Sequence, residues 1–219
     1  MSKPYQLVVF DWEGTVADTL GTILHIIVLE AKNLGFGEVD IYQARSFVAL
    51  GLVQSLRKLF PDLTSKQYEQ LLQAVQHSIV TKPIEVCLIP GSKEFIERLH
   101  AKHIDIAVAT NKGHHSLVRA LHASGLDEFI KVTRSAGQTK PKPCPQMLEE
   151  IMAEFGRDPS STLMIGDSIA DMEMAKSIKV PAIGVDFYHQ QEAALIASGA
   201  MAVFDDYQLL ADYLKLPNE

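Results

Sequence analysis

Cysteine is scarce in this chain. There are two in 219 residues, Cys87 and Cys144, in neither a CxxC pair nor a metal-ligand spacing. That count excludes a disulfide framework and fits a reducing compartment. Positive charge is short as well: 20 Lys and Arg against 27 Asp and Glu leave a net charge of −7. A mildly acidic chain is poorly suited to tracking a phosphate backbone, so nucleic acid is not an expected partner. Long apolar runs are missing too, none reaching the ~18 residues that a membrane-spanning helix needs. Met1-Ser2-Lys3-Pro4 leads toward a strand-like run without a cleavage-site pattern. No signal peptide is read, and a cytoplasmic protein with no membrane partner is expected. Internal repeats and low-complexity tracts are absent.

What is present is ordinary for a packed globular chain, 47% hydrophobic and 21% charged residues, which excludes a disordered one. The length suits one domain, or one domain carrying a sizeable insertion. Tyr5–Phe10 is short, apolar and β-branched, and an acidic-glycine turn follows it, as expected of a buried parallel strand. Similar runs recur at Ile104–Ala109, Leu163–Ile165, Ala182–Val185 and Ala202–Phe204, with a further short strand expected within Asp127–Val132. Helical patterns separate them at Ser92–Lys102, His115–Ser124, Pro145–Phe155, Ala170–Lys179, Gln190–Ser198 and Tyr207–Leu214. Strand alternating with helix predicts an α/β fold with a parallel sheet.

Residues 17–85 break the rhythm. They read as helices, Leu20–Leu34, Ile41–Phe47, Leu52–Phe60 and Ser65–Thr81, with turns at Gly35, Gly37, Gly51 and Pro61. Pro83 and Pro90-Gly91 mark the return to the α/β part. The expected organisation is therefore a Rossmann-like core of residues 1–16 and 86–219 with an inserted helical cap of residues 17–85. Parallel sheets bind ligands outside the carboxyl ends of their strands. A cap leaving the sheet just after the first strand is expected to cover that edge, exclude water and help select substrates.

Polar clusters follow three of the strands: Asp11-Trp12-Glu13-Gly14-Thr15, Thr110-Asn111 and Gly166-Asp167-Ser168-Ile169-Ala170-Asp171. A fourth element, Lys140-Pro141-Lys142-Pro143-Cys144-Pro145, precedes a helix. Asp11, Asp167 and Asp171 would gather several carboxylates in one place, which is costly unless a cation neutralises them. Hard oxygen donors in a partly hydrated site suit Mg²⁺. Thr110, Asn111 and Lys142 offer hydroxyl, amide and ammonium donors for a phosphoryl group's oxygens. An aspartate beside such a cation and a bound phosphate can act as nucleophile. The residues point to metal-assisted phosphoryl transfer through a covalent carboxyl intermediate.

In order and spacing, Asp11-x-Glu13-Gly14-Thr15, Thr110-Asn111, Lys142 and Gly166-Asp167-Ser168-x-x-Asp171 resemble the four motifs of the haloacid dehalogenase superfamily of phosphohydrolases. The resemblance covers almost the whole chain, including the helical block. Pro90-Gly91 through Asn111-Lys112 and the Lys-Pro-x-Pro element are most similar to the phosphoglycolate phosphatases. The resemblance implies roles. Asp11 is the nucleophile and a Mg²⁺ ligand. Residue 13 gives a backbone carbonyl to the metal and acts as general acid and base. Thr110 and the Asn111 amide hold phosphate. Lys142, preferred to Lys140 on spacing, balances charge. Asp167 ligates the metal, with Asp171 and Ser168 behind it.

Position 13 departs from the family pattern, which has a second aspartate where this chain has Glu13. Acid–base capacity is kept in kind, since the free pKa values differ by only about 0.4. The added methylene shifts the carboxyl by roughly 1 Å, and a shift of that size can cost on the order of 100-fold. The implied activity is a Mg²⁺-dependent phosphatase of small, phosphoglycolate-like metabolites, working as a monomer or homodimer. A phosphosugar mutase of the same superfamily and a slow or non-catalytic phosphometabolite binder stay open beside it. Arg45, Arg57 and Lys58 are candidates for the substrate's other end, with a solvated helix face as the plainer reading. Asp40 and Asp62 are expected as helix caps, Trp12 as packing, Cys144 as inert, and the histidines as surface or capping residues.

Overall fold

The computed structural model describes residues 5–37, 39, 52–81 and 86–216. The expected helix Ile41–Phe47, and with it Asp40, Arg45, Gly51 and Pro83, lies outside the described residues. The chain divides into two compact units, residues 1–17 with 88–219, and residues 18–87.

The larger unit is built on six parallel strands: β1 Leu7–Phe10, β2 Asp105–Gly113, β3 Val132–Ala136, β4 Thr162–Gly166, β5 Ala182–Val185 and β6 Val203–Phe204. Their spatial order is β3-β2-β1-β4-β5-β6, and every pairing is parallel. β1 is apolar throughout because both its faces are covered. Leu7 and Val9 pack with Met147, Leu148 and Ile151 of α6 (Gln146–Phe155), Met172 and Ala175 of α7 (Ile169–Ser177) and Leu195 of α8 (Glu192–Ser198). On the other face, Phe10 meets the edge of Phe95 on α4 (Ser92–Ala101), and Phe95 stacks on Tyr207 of α9 (Tyr207–Tyr213). Helix α5 (His114–Ser124) follows β2. This is the α/β, Rossmann-like arrangement that the alternation of patterns predicts. The strand order reverses at β1, the place where such sheets open a crevice beyond the strand ends.

Two strand expectations need correcting. β2 does not stop at Ala109 but runs to Gly113, so Thr110 and Asn111 lie within the strand rather than after it. The polar Asn111-Lys112-Gly113 run reads as a loop, yet pairing with β3 resumes at Gly113 after an irregularity. Nor does a strand occupy 127–132. Leu126–Glu128 is a 3₁₀ turn, because adjacent Asp127 and Glu128 suit a turn better than a ladder, and the strand starts at Val132.

The smaller unit contains, among its described residues, α1 (Thr19–Asn33), α2 (Leu52–Leu59) and α3 (Ser65–Thr81). Leu24, Ile27 and Ala31 of α1 recur at helical spacing and pack with Leu56, Phe60, Leu71 and Val75. Asp18 caps α1 by accepting from the Gly21 N–H at 2.8 Å. Ser78 donates to Glu30 at 2.6 Å, tying α3 to α1. Asp62 is not the cap of α3. Thr64 takes that place in a reciprocal box with Gln67, its backbone N–H donating to Gln67 Oε1 at 3.0 Å and its hydroxyl accepting from the Gln67 N–H at 3.4 Å. Arg57 lies over the Tyr68 ring, 5.3 Å from its centre.

Candidate active site

The chain turns sharply where β1 ends. Asp11 keeps one ladder bond, its N–H donating to the Ile165 carbonyl at 2.9 Å, and then the Trp12 carbonyl accepts from Val16 and Ala17. Trp12 is buried, as packing requires, and anchors the turn. Gly14 has φ +78°. A β-carbon there would also run into the Asp167 carboxylate, so glycine is needed both for conformation and for room. Buried Thr15 donates its hydroxyl to Asp167 Oδ1 at 3.0 Å and accepts on its carbonyl from the Tyr207 hydroxyl at 2.8 Å. Burial pushes the Tyr207 phenol up, with Asp167 and Asp11 adding to the effect, so it stays protonated and remains a donor.

A second turn follows β4. At Gly166 a β-carbon would lie 2.5 Å from Asp171 Cγ, so the strand end and the first turn of α7 close on each other only without a side chain. Ser168 caps α7, and the box is reciprocal. Its hydroxyl accepts from the Asp171 N–H at 3.3 Å, while Asp171 Oδ2 accepts from the Ser168 N–H at 3.1 Å and its hydroxyl at 2.6 Å. The other oxygen of Asp171, which is fully buried, accepts from Lys142 Nζ at 2.5 Å.

Lys142 joins the turns. Its ammonium also donates to Asp11 Oδ1 at 2.7 Å, and its side chain is 3% exposed. Burial alone would lower its pKa, but Asp11 and Asp171 outweigh that and hold it raised, so it stays charged. Its backbone N–H donates to Asn111 Oδ1 at 2.9 Å, so β2 fixes the segment that delivers the lysine. Among the described residues, Lys142 and not Lys140 reaches the carboxylates.

Asp11, Asp167 and Asp171 each bring a carboxylate oxygen within 4.8 Å of the others. One ammonium cannot balance three carboxylates. Burial pushes the Asp167 carboxyl up to about 8, with Asp11 and Asp171 adding their repulsion. The donors are all hard oxygens with surplus negative charge, which fits a small divalent cation of the Mg²⁺ type. Among the described residues no hydrogen bond is made to Asp11 Oδ2, so that oxygen is left for chemistry while Lys142 holds the other.

Glu13 stands apart from Lys142. Its Oε1 accepts from Lys112 Nζ at 2.5 Å. Thr110 is buried, and its hydroxyl accepts from the Lys112 N–H at 3.2 Å. The structure therefore brings Asp11, Lys142, Asp171 and Ser168 into one bonded cluster, with Asp167 beside it and held by Thr15, Asn111 attached through the Lys142 backbone, and Glu13 paired to the neighbour of Asn111. Lys112, the Thr15 hydroxyl and Tyr207 complete it and were not among the expected site residues. Lys112 stands beside Asn111 in the sequence and Thr15 lies inside the first motif, so position could have flagged both. Nothing local marks Tyr207.

A family profile described as haloacid dehalogenase-like hydrolase matches residues 8–185. A phosphoglycolate phosphatase from Rhodospirillum rubrum is 30% identical over 229 residues, covering 96% of this chain and 91% of that protein. The probable phosphatase IndB of Dickeya dadantii is 28% identical over 206 residues, covering 92% and 90%. Among solved structures, an HAD-family hydrolase from Deinococcus radiodurans superposes with a TM-score of 0.70 at 18% identity, covering 97% of this chain and 96% of that one. The matched span runs from β1 to the end of β5 and takes in every carboxylate of the cluster, and the chain belongs to the haloacid dehalogenase-like hydrolase family.

Proposed function

We propose that this chain is a Mg²⁺-dependent phosphatase of small phosphorylated metabolites, with phosphoglycolate-like compounds as the first substrates to try. The observation that carries the reading is Asp11: one carboxylate oxygen held by Lys142, the other without a bond, beside Asp167 and Asp171 at the strand ends. The names of the Rhodospirillum rubrum and Dickeya dadantii relatives support the reaction class, and the first supports the substrate.

Asp11 and Asp167, with the backbone carbonyl of residue 13, would hold the metal. When bound, it supplies positive charge against the phosphoryl oxygens and lets the anionic nucleophile approach them. Asp11 Oδ2 attacks phosphorus, the bond to the leaving oxygen breaks, and Glu13 gives that oxygen its proton. Glu13, now a carboxylate, takes a proton from water, whose oxygen attacks phosphorus. The bond between phosphorus and Asp11 breaks, releasing inorganic phosphate and restoring the carboxylate. Lys142 keeps Asp11 anionic and offsets its charge against the incoming phosphate. Thr110 and the Asn111 amide donate to phosphate oxygens.

The test is Asp11→Asn, assayed by inorganic phosphate released from p-nitrophenyl phosphate and from phosphoglycolate, with Mg²⁺ and with chelator. Turnover should fall on the order of 1,000-fold or more, and chelation of the unaltered protein should do the same. Undiminished release by Asp11→Asn ends the proposal. An isomerised sugar phosphate in place of free phosphate would instead point to a mutase.

A further inference from the structure

Lys112 and Glu13 face each other across the ends of β2 and β1, and the strand explains how they meet. Thr110 pairs with Ser135 and Gly113 pairs with Ala136, so β2 holds two residues, Asn111 and Lys112, with no counterpart on β3. Extra residues of this kind re-aim side chains beside sites. Asn111 is turned onto the Lys142 backbone. Lys112 has its own N–H bonded to the Thr110 hydroxyl, and its ammonium donates to Glu13 Oε1 at 2.5 Å. The two side chains are 23% and 34% exposed. A half-exposed ion pair adds little to folding stability. Its worth lies in where it leaves the carboxylate.

Glutamate has one more rotatable bond than aspartate and loses more side-chain freedom when fixed. A carboxyl free to sample several rotamers would meet a leaving oxygen only part of the time. We propose that Lys112 is a positioning residue for Glu13. Its ammonium takes up Oε1 and leaves Oε2 to carry the proton, so the longer side chain works from one place. The inference rests on the acid–base role assigned to Glu13 above.

The test is a double-mutant cycle on p-nitrophenyl phosphate hydrolysis with saturating Mg²⁺, using Lys112→Met, Lys112→Arg, Glu13→Gln and Lys112→Met with Glu13→Gln. Lys112→Met should lower kcat by about 10-fold, for a carboxyl no longer held in place. Lys112→Arg, which keeps the donor, should retain more kcat than Lys112→Met. KM, and kcat within the Glu13→Gln background, should each change by less than about threefold on Lys112→Met, because nothing is left to position. A crystal structure of Lys112→Met should show the Glu13 carboxyl displaced or spread over several rotamers. An equal loss in both backgrounds, an effect confined to KM, or an unmoved carboxyl each overturns the inference. If Glu13→Gln turns over like the unaltered protein, the acid–base role falls and this inference with it. If Glu13→Gln is slow and the Lys112 loss is undiminished, this inference alone falls.

Discussion

Among the described residues Tyr207 makes no hydrogen bond to a carboxylate or a site lysine, yet its hydroxyl donates to the Thr15 carbonyl, and the Thr15 hydroxyl donates to Asp167. Tyr207→Phe removes one oxygen and leaves a buried carbonyl unpaired. The expected cost is about 1–3 kcal/mol of unfolding free energy, measured in denaturant. Mg²⁺ titrated by calorimetry should bind more weakly, because Asp167 loses a tethered partner. At this scale the sequence was readable in part. Asp11 and Asp167 were visible because each stands just beyond a short buried strand, Asp171 because it follows Asp167 by four residues in a helical pattern, and Lys142 because its spacing matches the family that the motifs resemble. Tyr207 was not, since its partner lies 192 residues away and only packed rings bring the two together. Lys112 could have been flagged by its place beside Asn111, but its pairing with Glu13 depends on an irregular strand that pattern alone does not show.

Among elements, the junction of β4 with α7 has the least slack. Gly166→Ala would press a methyl group against Asp171, and Asp171 holds both Lys142 and the cap of α7. Overpacking of this kind costs about 1–3 kcal/mol, and phosphate release should drop along with the melting temperature. A variant with unchanged melting temperature and turnover would show that the strand and helix part easily. Element positions were largely legible, because apolar periodicity and turn residues agree along the chain. β4, β5, α3 and α9 fall within a residue or two of their expected bounds. The end of β2 was missed because Asn111 and Lys112 have no partner on β3 and, with Gly113, look like a loop before the pairing resumes. The cap of α3 was misplaced because Asp62 and Thr64 are both good capping residues, and only Thr64 has a glutamine three positions on.

For the whole molecule, the buried acids make stability depend on pH and on metal. The folded-state pKa of Asp167 is pushed up to about 8 from an ordinary value of 3.8. In that window the metal-free folded chain keeps a proton that the unfolded chain has released. The contribution of Asp167 to stability is therefore fully present below about pH 4 and is lost as pH rises toward 8. In chelator the melting temperature should fall across this range, and Asp167→Asn should flatten the fall. At pH 8 Mg²⁺ should raise the melting temperature of the unaltered protein, and should raise that of Asp167→Asn less. A flat profile in chelator would remove the crowding of charge inferred for the cluster.

Ala17 is bridged to Leu88, and the Ile89 N–H donates to the Val16 carbonyl. The sheet-bearing unit thus ties its own cut ends side by side, whatever lies between them. Seen from that unit, residues 18–87 close a loop whose entropic cost grows only as the logarithm of its length. The seam behaves as a socket: the inserted helices can be exchanged while the strand ends that carry the carboxylates stay in register.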